Sequence, residues 1–208
     1  MTEKGNRHFS MLRSFVLADL ITLGNAACGS LSIFLCLRHV AEGSRGALWL
    51  AIGLLPVALV CDITDGMVAR WRRKQSAMGA DLDSLADIVS FGVAPAVIGH
   101  TLGMRGGWDL LILVYFVGCG ISRLARYNVT AAMLSDESGK VTHYEGAPIP
   151  TSLALVAVLA VAFASGDVGP HLWLGSVELA GLVWHPLSLL YAASGTAMMS
   201  ATLKIPKP

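Results

Sequence analysis

Charge is scarce in this chain. Only 14% of its 208 residues are Asp, Glu, Lys or Arg, far below the roughly one quarter of an ordinary soluble domain, which excludes a water-solvated surface as the dominant exterior. An excess of either sign is also missing, because 15 Lys and Arg face 14 Asp and Glu for a net charge of +1. No nucleic-acid partner is expected. Aromatic residues make up 7%, and the cysteines number four. Cys28, Cys36, Cys61 and Cys119 lie inside apolar stretches without the paired spacing of a zinc site, so they read as small core residues. Internal repeats and any polar stretch long enough for a soluble domain are absent as well.

Apolar sequence fills the space that charge leaves. Hydrophobic residues reach 54% and the mean hydropathy is +0.63. Six apolar stretches recur, at about Asp19 to Leu37, Ala47 to Ala69, Leu82 to Thr101, Leu110 to Arg126, Pro150 to Ala164 and Pro186 to Leu203. Most approach the roughly 20 residues that a helix needs to cross the hydrocarbon. The reading is an all-α, polytopic membrane protein with six transmembrane helices. Residues 1–18 form a cytoplasmic or interfacial segment, and residues 19–205 a single membrane-embedded catalytic domain. The first apolar stretch carries Thr22 and Asn25 and no cleavage box, so it is expected to be retained as a helix.

Orientation follows from the basic residues. With the N-terminus inside, only Arg38, Arg45 and Arg105 of the 15 Lys and Arg fall on the outer side. The positive-inside rule therefore puts both termini on the cytoplasmic face of the cell membrane. Asn128 to Pro148, the most polar segment, is predicted as a loop on that face. Its His143, Tyr144 and Glu145 read as solvated loop residues. The short loop from Trp71 to Met78 carries Arg72, Arg73 and Lys74 as topogenic charge.

The carboxylates are few but concentrated. Asp62 and Asp65 stand three residues apart in CDITDGMVAR, and Asp83 and Asp87 four apart in GADLDSLAD. On helices each pair projects from one face. An ionised Asp at the centre of a bilayer helix costs about 2.5 to 3.5 kcal/mol on insertion scales, so four together need compensation. Pairing with boundary arginines is one route, but Arg70 alone shares that face and leaves a surplus of negative charge. A divalent ion is the other, since hard cations such as Mg²⁺ or Mn²⁺ take carboxylate oxygen and leave positions for phosphate. Gly66 opens the backbone to a ligand, and Arg70 supplies a planar cation suited to phosphate. The pattern reads as a phosphate-handling site.

Taken as one string, Asp62, Asp65, Gly66, Ala69, Arg70, Gly79, Asp83 and Asp87 at their spacing resemble the signature of the CDP-alcohol phosphatidyltransferases. The resemblance implies a six-helix membrane enzyme, a homodimer, that transfers a phosphatidyl group from a CDP-linked lipid to an alcohol and releases CMP. The flanking strings TLGNAACG, DSLADIVSFGVAP, RLARYNV and EGAPIP are similar to those of the serine-using, integral-membrane branch. They imply CDP-diacylglycerol and L-serine as substrates and phosphatidylserine as product, in phospholipid biosynthesis. Also implied are two divalent ions on Asp62, Asp65, Asp83 and Asp87, with Asp87 serving as general base. Gly66, Ala69, Arg70, Ser76 and Gly79, with Thr22 and Asn25 of the first helix, match positions at the CDP-lipid.

Arg123 and Arg126 have two readings, as cations for the acceptor or as cytoplasmic anchors. Glycerol 3-phosphate or inositol phosphate as acceptor keeps the same chemistry but calls for a denser basic pocket. A divalent-cation transporter also places Asp in membrane helices, yet it leaves Gly66, Ala69, Arg70 and Gly79 unexplained.

Overall fold

The computed structural model of the protein describes residues 17–72, 78–135, 143–200 and 204–206. Among the described residues six helical passes follow one another along the chain, as the apolar stretches predict. The first two are α1 (Leu17–Glu42) and α2 (Arg45–Arg72). A turn at Gly43 separates them, with φ at +68° and its N–H bonded to the His39 carbonyl at 2.8 Å, the left-handed helix ending that glycine permits. The two helices pack along their lengths, and the buried Ser32 hydroxyl donates across to the Ala51 carbonyl at 2.9 Å.

The third pass runs from Gly79 to Leu102 as α3 (Gly79–Asp87), a π-helical segment (Ile88–Val93) and α4 (Ala94–Leu102). Pro95 explains the wide turn in the middle. It lacks an N–H, and its ring would press on the carbonyl four residues back. Widening the turn before it relieves both problems, and the Ala94 N–H reaches the Val89 carbonyl five residues back. A π segment beside a row of polar residues often marks a functional region.

The fourth pass, α5 (Gly107–Ser135), extends well beyond the predicted end at Arg126. Residues Asn128 to Ser135 are helical, which corrects the expectation of a loop starting at Asn128. Ala131, Ala132, Met133 and Leu134 are good helix formers, and no Gly or Pro interrupts them. The remainder of the predicted loop contains β1 (His143–Glu145) and otherwise lies partly outside the described residues. Also outside them lie the N-terminal segment as far as residue 16, and Ser76.

A 3₁₀ turn (Ile149–Ser152) leads into α6 (Leu153–Ser165). The stretch before the last pass is a 3₁₀ turn (Gly169–His171) and a hairpin of β2 (Val177–Leu179) and β3 (Leu182–Trp184). Ala180 and Gly181 both take positive φ at its tip, the geometry of a tight hairpin turn. The buried Asp109 at the start of α5 accepts from the His185 N–H at 2.8 Å and lies 2.6 Å from His185 Nδ1, which ties the hairpin's exit to α5.

The sixth pass is a 3₁₀ turn (Pro186–Ser188) and α7 (Leu189–Met199). It begins where predicted but stops at Met199 rather than Leu203. Beyond it β4 (Lys204–Pro206) pairs antiparallel with β1, with Tyr144 opposite Ile205. Four passes are long and apolar enough to cross a membrane, and Ile149–Ser165 is shorter. The core runs through the bundle, taking buried residues from α2, α4, α5, α6 and α7, and it includes the contact between α4, α5 and α7. There the fully buried Tyr191 packs edge-on against Phe116, with ring centres 5.1 Å apart, and donates to the Pro95 carbonyl at 2.6 Å.

Candidate active site

Three helices build the acidic site. On α2, Asp62 and Asp65 share a face one turn apart, and Asp62 lies ten residues, about 15 Å, before the helix ends. On α3, Asp83 and Asp87 do the same, with Asp87 leading directly into the π-helical segment. Their faces meet. Asp62, Asp83 and Asp87 bring one carboxylate oxygen each within 4.8 Å of one another.

Asp65 stands beside this trio, and its carboxylate accepts from the Thr22 hydroxyl of α1 at 2.5 Å. Asn25, one turn further along α1, donates from Nδ2 to Asp87 Oδ1 at 3.1 Å. The first helix therefore holds one acid from each of the other two.

The donor set fits a hard cation. All three converging ligands are carboxylates, and Asp83 Oδ1 is buried with no hydrogen-bond partner. Among the described residues, the charges acting on Asp62, Asp83 and Asp87 come from one another and from Asp65, so negative charge is gathered in one place. Like charges this close in an apolar setting repel strongly, and a divalent ion removes that cost.

The other predicted residues lie on α2, α3 and α5. Arg70 is exposed, and its guanidinium passes 3.6 Å from the point where a Gly66 side chain would begin. The missing side chain gives that cation room to fold back along α2. Ala69 is half-buried on the same helix and Gly79 opens α3. On α5, Arg123 is half-buried and Arg126 exposed.

Sequence reasoning missed two features. Asp19 on α1 is only 4% exposed and acts electrostatically on Asp65; its signal was an acid inside the first apolar stretch, taken there as a helix start. The second is a bridge between α3 and α5, where Asn128 Nδ2 donates to Ser84 Oγ at 3.0 Å. Both residues lie in the quoted strings, one beside Asp83 and the other beside the arginines.

At the opposite end, a cavity of about 510 Å³ is bordered by His39, Arg105 and His185. It gathers no acidic cluster.

The chain is 44% identical over 204 residues to a CDP-diacylglycerol–serine O-phosphatidyltransferase of Saccharomyces cerevisiae, covering 97% of this chain and 74% of the yeast protein. It is 34% identical over 149 residues to the Bacillus subtilis protein of the same name, covering 69% and 75%. To an archaetidylserine synthase of Methanothermobacter thermautotrophicus it is 35% identical over 150 residues, covering 70% and 58%. The family model for CDP-alcohol phosphatidyltransferase matches residues 15–191, a span that takes in all three helices of the acidic site. With that span matched, the chain belongs to the CDP-alcohol phosphatidyltransferase family.

Proposed function

We propose that this membrane protein transfers the phosphatidyl group of CDP-diacylglycerol to the hydroxyl of L-serine, giving phosphatidylserine and CMP. The observation that carries the reading is the convergence of Asp62, Asp83 and Asp87, in a chain whose relatives are named for a serine acceptor. Family membership sets aside the cation transporter.

Two divalent ions, Mg²⁺ or Mn²⁺, held among Asp62, Asp65, Asp83 and Asp87, would offset the pyrophosphate charge that repels an incoming nucleophile. The protein's own groups do the rest. Asp87 takes the proton of the serine hydroxyl as it attacks phosphorus, because an alcohol is a poor nucleophile near neutral pH. Arg70, beside Gly66, grips phosphate of the CDP group; the resemblance adds Ala69, Ser76 and Gly79 as further contacts of that group. Arg123 and Arg126 face the serine carboxylate. The three helices supply a rigid frame that orients donor and acceptor. Two copies of the chain form a dimer, and the site opens to the cytoplasm.

An acceptor panel tests the reading. In detergent-purified protein with CDP-diacylglycerol, CMP release with L-serine should exceed that with glycerol 3-phosphate, inositol or inositol phosphate by at least about 100-fold, since a site built for one polar acceptor leaves its groups unpaired with another. Robust release with glycerol 3-phosphate and none with serine would overturn the acceptor and keep the chemistry.

Topology has its own check. A cysteine at Ser44, in the turn after α1, should react with an impermeant thiol reagent from outside the cell, and one at Ser76 only after the membrane is opened. Labelling of Ser44 from the cytoplasm would sink the six-pass arrangement.

A further inference from the structure

We propose that Asn25 is a positioning residue for Asp87, and that it acts through this carboxylate and not by touching the nucleotide. The inference rests on the reading of Asp87 as the base. Asn25 has no exposed surface, so it offers no face to a ligand in solution or lipid. Among the described residues its side-chain partner is Asp87, through the 3.1 Å bond from Nδ2 to Oδ1.

The opposite amide orientation would set two oxygens against each other, so the hydrogen bond fixes which end of the amide faces the acid. The Asn25 Oδ1 is consequently left buried without a partner.

The backbone behind Asn25 is held equally closely. Ser90 Oγ donates to the Asn25 carbonyl at 2.9 Å. Ser90 lies in the π-helical segment, three residues after Asp87, so the side chain and the main chain of Asn25 grip the same stretch. A turn later, Gly29 lets α1 touch the Ser90 backbone.

The chemistry of the amide suits the task. It donates a hydrogen bond without adding charge, so it orients the carboxylate and leaves its negative charge for proton removal. A Lys at this position would compete with cations for the acids, and a Leu would leave Asp87 free to turn. With Oδ1 tied to Asn25, the carboxylate is held in one orientation, and its other oxygen is the one left to face the cations and the serine hydroxyl.

The test compares Asn25→Ala and Asn25→Asp in detergent-purified protein, with Asp87→Asn as reference. Two quantities are read: kcat and KM at saturating Mn²⁺, and equilibrium binding of CDP-diacylglycerol without serine. Removing a partner of this kind lowers activity by about 10- to 100-fold. That loss is expected in kcat for both variants, with CDP-diacylglycerol binding unchanged within about twofold in the neutral Asn25→Ala.

Asn25→Asp keeps the shape, loses the donor and sets a second carboxylate against Asp87, so a loss in it at least as large as that in Asn25→Ala identifies the hydrogen bond. Wild-type kcat in either variant overturns the proposal. So does tenfold weaker CDP-diacylglycerol binding with kcat kept, which would make Asn25 a nucleotide contact. Where both variants fail to fold, Ser90→Ala takes their place: a several-fold drop in kcat with binding intact supports the proposal, and unchanged kcat overturns it. Wild-type turnover in Asp87→Asn would sink the base reading itself, a result distinct from each of these.

Discussion

Asp83→Asn is expected to lower CMP release at least about 1,000-fold at saturating Mg²⁺ or Mn²⁺, a barrier increase of about 4 kcal/mol. The substitution keeps the side chain's shape and removes its charge. Asp83 Oδ1 is a buried acceptor without a partner, and Asp83 is one of the three acids whose oxygens meet within 4.8 Å. An amide there presents a neutral group to the cation.

The fold should survive this change, for an electrostatic reason. Without metal, the acids repel one another in an apolar setting, and removing one charge relieves that repulsion. Melting of the metal-free variant in detergent is therefore expected at or above the wild-type temperature. The stabilisation that Mn²⁺ gives to the wild type should shrink, because a ligand stabilises only as far as it binds the folded state. Loss of activity together with a lower melting temperature in the absence of metal would point to structural damage. Wild-type turnover would end the metal role of Asp83.

The acids were legible because their information is local. Asp62 and Asp65 need only a helix to share a face, as do Asp83 and Asp87, and the apolar stretches declare those helices. Even so, the partition within the four was not readable: Asp65 faces Thr22, 43 residues away, while Asp87 faces Asn25, 62 residues away. Pairings at that range depend on how α1 settles against α2 and the third pass, which periodicity does not encode.

The same limit explains the other differences. The π-helical turn at Ile88–Val93 answers both to Pro95 and to the approach of α1. The pairing of β1 with β4 joins segments about 60 residues apart, and neither looks like a strand on its own. The hairpin after α6 shows in the sequence only as an apolar stretch broken by Gly and Pro. By contrast, α5 ran past its predicted end because the prediction followed hydropathy, whereas Ala131 to Leu134 keep their helical preference beyond Arg126.

Gly29→Ala is expected to reduce activity at least about tenfold, although on an exposed helix the same change would be favourable. A side chain at Gly29 would begin 2.5 Å from Ser90 Oγ, 2.7 Å from Ser90 Cα and 3.0 Å from Ser90 N. Carbon atoms prefer about 3.5 to 4.0 Å, and two of those three neighbours are main chain that cannot rotate away. Replacing Gly by Ala inside a helix gains about 1 kcal/mol in propensity, whereas overpacking costs about 1 to 3 kcal/mol and sometimes more, so the steric cost prevails.

Relief requires α1 to back away from the π-helical segment. The Asn25 to Asp87 bond, already at 3.1 Å, then lengthens past useful reach. Gly118 on α5 provides the contrast, since nothing lies within 4 Å of its added carbon. Gly118→Ala should keep full activity and melt at the wild-type temperature or slightly above. Equal behaviour of the two variants in CMP release and melting would show that α1 does not approach Ser90 this closely. A tenfold loss confined to Gly29→Ala would tie the activity of the acids on α3 to the seating of the first helix against them.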